Sequence, residues 1–405
     1  KEHHLDLIIQ LGSTDVRGEI STAAKYGVWS FAFRDEQTIQ GKPAGYWEVV
    51  EDIPETGIVL KVTQGSPEHT RPIYRSFYFT YPFSPARNRN IIYWAAATVL
   101  CRQVQALYRL GEKEFFARNG HHPHGDSKTA PKNYDFPSNT SAIRHYLSVY
   151  SKFIGDRIRR LLYLPTWYLL YSLKGDPDIN LKALKPIFPP RDRFWADPHV
   201  IFKNEKYYIF VEELLYKTGK GRISVIEMDL EGNCKNPVCV LEEKYHLSYP
   251  FVFEWEGKTY MVPETAQNRS IDLYECIDFP YQWEFRMHLM ENVRAVDTTL
   301  FFDRGTWWLF TALAESEDFI MPSELFLFYS KDLLTTNWTP HPCNPVIADI
   351  KKARPAGGLF RREGKIYRPS QYNAKAYGYG IDLNEVVLLT ETGYAEEEVS
   401  RLRPE

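Results

Sequence analysis

One pattern recurs four times in the second half of the chain, and it constrains the fold more than any single residue. It reads DPHVIFKNEKYYIFVEE from Asp197, YPFVFEWEGKTYMVPET from Tyr249, DTTLFFDRGTWWLFTAL from Asp297 and PAGGLFRREGKIYRPSQ from Pro355. Each copy is an apolar run, a polar turn and a second, aromatic-rich run. That is the signature of a β-hairpin with alternating inward and outward side chains. The equivalent aromatic falls at Tyr208, Tyr260, Trp308 and Tyr367, giving spacings of 52, 48 and 59 residues. Repeats of this length built from several short strands predict propeller blades, in which the first strand of each blade lines a central channel. Equivalent positions of distant blades therefore converge. The alignment makes Asp197 equivalent to Asp297, and Glu212 equivalent to Glu264 and Gln371.

At 405 residues the chain predicts two domains. Its aromatic content of 15% suits β-blades and also sugar-binding clefts, where a ring face packs on the C–H face of a sugar. A formal charge of −3 gives no electrostatic reason to invoke nucleic acid. Five scattered cysteines (101, 234, 239, 276, 343) without a C-x-x-C pair favour a reducing compartment, with room for one disulfide. Three Asn-x-Ser/Thr triplets, at Asn139, Asn268 and Asn337, are expected by chance in a chain this long. The sequence contains neither a signal peptide nor a run of 18 apolar residues. The expected location is cytoplasmic, with membrane association as an alternative. The chain opens at Lys1 directly before an apolar strand, and so reads as a piece of something longer.

Residues 1–116 read as a small α/β domain. Leu5–Leu11, Gly27–Phe33 and Ile58–Thr63 form strands, Gly18–Tyr26 a short helix, and 88–116 a long helix with apolar positions at helical spacing. Residues 117–184 make a linker and connector. The polar, Pro-rich stretch 117–140 carries His121, His122 and His124, but no folded frame fixes their geometry, so no metal is expected there. Residues 141–173 begin as a helix in which Arg157, Arg159 and Arg160 sit beside Leu161, Leu162, Trp167 and Tyr168. Basic and aromatic groups together fit an interfacial membrane helix. A connector packed on the next domain is the alternative. Residues 185–405 are expected to form a five-bladed β-propeller. Only four repeats are plain, so the fifth blade would come from residues near 381–405 with the strand around Ile187–Phe188, or be incomplete.

The stretch LDLIIQLGSTDVRGEISTAAKYGVWSF, followed by TGIVLKVTQG and a long helix, resembles the catalytic half of the formyltransferase fold. That family places Asn-x-His on the strand after the Gly-Val turn, to stabilise an oxyanion and move protons, with an Asp further on. Here the corresponding positions are Ser30 and Ala32, and QGSPEHTRPIY carries no Asp. The resemblance implies a degenerate scaffold without formyl transfer, because Ala32 cannot move a proton. Nothing in the sequence positions Glu36, Glu48 or His69 to substitute.

The Asp-Pro in Phe194-Trp195-Ala196-Asp197-Pro198 resembles the opening of the first blade in propeller glycosidases of the arabinanase and xylosidase type. Asp297 resembles their second acidic residue. RDRFWADPHVIF, SYPFVFEWEGKTYMVPET, AVDTTLFF, ARPAGGLF and YRPSQYNAKAYGYGI together resemble the N-terminal domain of plant glucosamine inositolphosphorylceramide transferases, over about 210 residues. The resemblance implies a carbohydrate-active enzyme, a glycosyltransferase or a glycoside hydrolase, in polysaccharide or glycolipid assembly. Asp197 would be the base, Asp297 its electrostatic partner and Glu264 the proton donor, since the fourth copy opens on Arg354-Pro355-Ala356-Gly357 with no Glu. Arg354, Gln371, Tyr377, Trp195 and Glu212 would hold substrate, with Arg354 alternatively paired to a channel Asp. A glycan, glycolipid or nucleotide sugar is the expected partner, and no cofactor or metal is expected. The alternative function is a non-catalytic glycan-binding or scaffold module with an inactive formyltransferase-like domain.

Overall fold

The computed structural model describes residues 4–12, 18–33, 39–65, 69–119, 132–163, 166–173, 181–313 and 321–404. His121, His122, His124 and Glu36 lie outside the described residues. The chain divides into two compact units, Lys1–Leu162 and Tyr163–Glu405.

In the first unit a four-stranded sheet runs in the order Ile8–Gln10, Val28–Ala32, Glu55–Thr63, Thr70–Phe79. The first pair is parallel and the others antiparallel. The strand Thr70–Phe79 was not expected. Its Pro72 breaks the run in sequence, and it is accommodated where the register with its neighbour shifts. Ser30 and Ala32 lie on the second strand. The long helix Pro85–Asn119 turns at Gly111 and stacks Phe115 on the buried Trp29, ring centroids 5.6 Å apart. The helix Asn139–Leu162 belongs to this unit, not to a separate connector. Its Val149 is buried, and its His145 meets the hydroxyl of Tyr46 at 3.0 Å.

The second unit is a β-propeller of four-stranded antiparallel sheets. The first blade is Arg193–Lys203, Lys206–Leu215, Lys220–Met228 and Val238–Leu241. The second is Ser248–Trp255, Lys258–Thr265, Ser270–Asp278 and Gln282–Glu291. The third is Ala295–Asp303, Thr306–Leu313, Leu325–Ser330 and Thr339–Pro340. The fourth is Phe360–Arg362, Lys365–Tyr372, Gly380–Thr390 and Gly393–Leu402. The first hairpin of every blade closes on two residues with positive φ: Asn204-Glu205, Glu256-Gly257, Arg304-Gly305 and Glu363-Gly364. These are two-residue turns whose twist matches that of the flanking strands, and they explain the polar turn in every copy of the repeat.

Blades stack through apolar faces. Phe210, Val225 and Leu241 of the first blade pack with Val252 and Met261 of the second. Val262 and Leu273 of the second pack with Leu300, Trp307 and Leu309 of the third. Trp308, Phe310 and Leu327 of the third meet Leu389 and Tyr394 of the fourth. Inside the fourth blade the fully buried Arg368 is clasped by Glu396 through two bonds of 2.7 Å.

The expected make-up of the fifth blade is corrected. Residues 380–402 supply the last two strands of the fourth sheet, and Ile187 pairs with Leu169 in a two-stranded ribbon. That ribbon packs Leu169 and Ile187 on Trp195, Ile209 and Val211 of the first blade. Just before it, the carbonyl of Trp167 accepts the backbone N–H of Trp195, 3.4 Å apart. The Trp167 ring also abuts Gly378 of the fourth blade, where a Cβ would lie 2.6 Å from the indole. Trp167 thus joins the first blade to the last. All five cysteines are free, so the room left for a disulfide is not used.

Candidate functional site

The site is built by one backbone device used three times. In the first blade Ala196 pairs with Glu212 and His199 with Phe210, leaving Asp197 and Pro198 opposite Val211 alone. In the second, Ser248 pairs with Glu264 and Phe251 with Val262, leaving Tyr249 and Pro250 opposite Pro263. In the third, Val296 pairs with Ala312 and Thr299 with Phe310, leaving Asp297 and Thr298 opposite Thr311. Each is a β-bulge, and its first residue is left-handed: φ is +48° at Asp197, +43° at Tyr249 and +52° at Asp297. A proline second residue has no N–H to give to the ladder, so Pro198 and Pro250 suit the interruption. Left-handed backbone costs an L-residue about 1–3 kcal/mol, and such strain concentrates at functional sites. In the fourth blade the Arg354 carbonyl accepts the Gln371 N–H (2.8 Å), which places Gln371 in the slot of Glu212 and Glu264.

These slots bring acidic groups from three blades together. Asp297 is fully buried and bidentately gripped by Arg354, whose Nε and Nη2 donate to its two oxygens, the second at 3.2 Å. Gln371 Nε2 donates to the same carboxylate at 2.7 Å and to the Pro355 carbonyl at 2.9 Å. The backbone N–H of Asp297 donates to Glu264 Oε2 (3.3 Å), and Arg354 Nη2 lies 3.8 Å from that oxygen. The guanidinium rests 5.0 Å from the ring centre of Tyr377, a half-exposed aromatic set edge-on to Trp167. Glu212 pairs with His246 Nε2 at 3.2 Å.

Burial and mutual repulsion hold protons on this cluster. Asp197 is pushed up to about 8, by burial first and then by the charges of Asp297 and Glu212. Arg354 and the backbone N–H of Tyr249 oppose the shift. Glu264 is raised well above the usual carboxylate range, again by burial first and then by Asp297. Carboxyl groups raised in this way are suited to donate protons, and such perturbed groups cluster at functional sites.

The structure places the expected residues unequally. Asp197, Asp297, Glu264, Glu212, Arg354, Gln371 and Tyr377 fall in one electrostatically connected cluster. Arg354 and Gln371 are engaged with Asp297, so the alternative of an ion pair to a channel Asp is the one observed. Trp195 is corrected. It is only 4% exposed, packs in the first blade's core and donates its indole N–H to Glu213, so it offers no stacking face.

Two residues of the site were not singled out from sequence. Tyr249 takes the bulge slot of the second blade. Its hydroxyl accepts the Gly357 N–H (2.8 Å) and meets Thr299 Oγ1 (2.9 Å), tying three blades together. The repeat alignment does put Tyr249 level with the two aspartates, which was the available signal. His199 lies against Tyr249 and Phe251, and burial lowers it to about 4, so it is neutral at physiological pH.

A β-propeller with a buried acidic cluster at its bulged first strands is the class that fold and site define. Within that class, the chain belongs to the family described as glucosamine inositolphosphorylceramide transferase 1, N-terminal, whose signature matches residues 186–403. The rice (Oryza sativa subsp. japonica) protein named glucosamine inositolphosphorylceramide transferase 1 is 32% identical over 210 residues. That is 51% of this chain and 28% of the rice protein. The protein of the same name from Arabidopsis thaliana is 30% identical over 209 residues, 51% of this chain and 27% of its own length. The matched stretch is therefore less than a third of either relative. Among solved structures, RS223-Beta-xylosidase aligns with a TM-score of 0.41 at 11% identity, covering 50% of this chain and 73% of its own. Zg3597, a family 117 glycoside hydrolase of Zobellia galactanivorans, aligns with a TM-score of 0.40 at 13% identity, covering 58% and 75%.

Proposed function

We propose that the propeller is a carbohydrate-active enzyme that transfers or hydrolyses a glycosyl group at the Asp197–Glu264–Asp297 cluster. The observation that carries this reading is the repeated bulge, whose left-handed residues Asp197 and Asp297 meet Glu264 in one cluster where burial and repulsion raise both Asp197 and Glu264. Glu264 donates its proton to the departing glycosidic oxygen. Asp197, once deprotonated, accepts the proton of the attacking water or hydroxyl. Asp297 is positioned by Arg354 and Gln371, and its repulsion favours the protonated form of Glu264 until the leaving group takes the proton. Tyr377 offers its exposed ring to a sugar face.

The relatives' names bring a glycolipid within the substrate range, and a nucleotide sugar is the donor proposed from the sequence. The purified chain, screened by thermal shift against nucleotide sugars, aryl glycosides and inositol glycolipid headgroups, tests the reading. A binding sugar raises the melting point by mass action, and Tyr377→Ala weakens that rise. The absence of any shift across all three classes overturns the proposal.

A second reading, a glycan-binding module without turnover, is favoured by the engagement of Arg354 and Gln371 with Asp297. It predicts the same thermal shift, no product, and full binding by Glu264→Gln.

A further inference from the structure

The helix Asn139–Leu162 has two faces that differ in what covers them. One face packs on its own unit: His145 meets Tyr46, Val149 is buried, Phe153 sits edge-on to Phe83, and Lys152 pairs with Asp52 at 2.6 Å. The opposite face carries Ile143, Leu147, Tyr150, Ile154, Ile158 and Leu161, exposed by 62, 65, 61, 39, 51 and 86%. Their spacing of four, three, four, four and three residues aligns them in one stripe. Large apolar side chains in a continuous exposed row mark an interaction surface.

We propose that this stripe lies on an anionic lipid bilayer. Charge selects the occupant. The helix holds five basic residues (Arg144, Lys152, Arg157, Arg159, Arg160) against one acidic, Asp156. Asp156 faces inward, with its side chain only 12% exposed, while Arg159 and Arg160, tied to it at 2.7 and 2.6 Å, remain 71 and 63% exposed. By helical spacing Arg144 and Arg157 border the stripe on its two sides, where their stems can lie on apolar surface while their heads reach lipid phosphates. Arg157 already rests on the Phe153 ring, 5.2 Å from its centre. A second copy of the chain fits less well. Continuing the apolar repeat as a coiled-coil seam puts Arg157 at a core position, where two copies would bury like charges. No helix among the described residues is long and apolar enough to cross a membrane. The element therefore lies in the interface, along about 36 Å of helix. This surface is independent of the propeller cluster.

Co-sedimentation of the full chain with vesicles tests it. Expected is binding to phosphatidylcholine vesicles containing about 30 mol% phosphatidylserine at least about tenfold tighter than to phosphatidylcholine alone, and weakened by salt. The double substitution Leu147→Glu/Ile158→Glu, at positions already facing water, should lower that binding at least about tenfold while circular dichroism is unchanged. Arg144→Ala/Arg157→Ala should reduce binding to the anionic vesicles and leave the weak binding to phosphatidylcholine alone as it was. The proposal is overturned by no binding to anionic vesicles, by binding that the Glu substitutions do not change, or by light scattering that shows a dimer converted to monomer by those substitutions.

Discussion

Asp197→Asn should make the propeller more stable, and only at higher pH. In the folded chain the carboxyl of Asp197 is pushed up to about 8 by burial and by neighbouring charge. In the unfolded chain it titrates near ~3.9. Between these values the folded state keeps a proton that the unfolded state has lost, so stability falls as pH rises from about 4 to about 8, and falls no further above it. At about 1.36 kcal/mol per pH unit, a gap of about four units sets a ceiling of about 5–6 kcal/mol. Asp197 is not fully sealed from water and interacts with the charges of Asp297 and Glu212, so about half that ceiling, roughly 2–3 kcal/mol, is the expected penalty. Asparagine keeps the acceptor for the Tyr249 N–H and carries no charge at any pH. For a folding unit of about 240 residues, roughly 2–4 °C per kcal/mol converts this to a Tm rise of about 5–10 °C at pH 9, shrinking markedly by pH 5. Scanning calorimetry of both proteins from pH 5 to 9 reads it directly. An Asp197→Asn protein no more stable than wild type at pH 9, or a difference independent of pH, would refute the electrostatic account of the cluster.

Arg354→Met should destabilise by about 3–5 kcal/mol, because it strands the buried Asp297, and adding Asp297→Asn should recover most of the loss; urea unfolding of the single and double variants measures both. Tyr249→Phe removes the acceptor for the Gly357 N–H and the partner of Thr299, and should cost about 1–3 kcal/mol in the same assay. Turnover should rise with pH through a limb near 8 as Asp197 loses its proton, so a pH–rate profile that is flat from 6 to 9 contradicts its role as base.

The four-copy pattern revealed the blades because each hairpin turn and each apolar run is written locally, and the stacking faces follow from alternation. The make-up of the last blades was not legible in the same way. Residues 380–402 have the length and alternation of strands, but only tertiary pairing decides that they complete the fourth sheet. The approach of Asp197 to Asp297 was legible because equivalent slots of a radial repeat must approach one another, whereas nothing in the sequence decided whether Glu264 or Glu212 would reach them. What no spacing could show was the left-handed bulge that turns each slot inward, or which cation would reach which carboxylate. Trp195 misled for a physical reason: it was expected to hold substrate, yet its ring is needed to pack the ribbon onto the first blade. Residues 141–173 were legible as basic and aromatic, but the structure ends the helix at Leu162, leaves Trp167 and Tyr168 to the second unit, and adds which helix face its own unit already covers.

The measurement that bears most directly on the proposed chemistry is the leaving-group dependence of turnover in Glu264→Gln. A proton donor matters most when the departing oxygen is a poor leaving group. The account predicts a loss of about 10²–10⁴-fold on alkyl glycosides or natural acceptors, and a much smaller loss on a dinitrophenyl glycoside that departs unaided. Equal rates for wild type and Glu264→Gln on both kinds of substrate would contradict it.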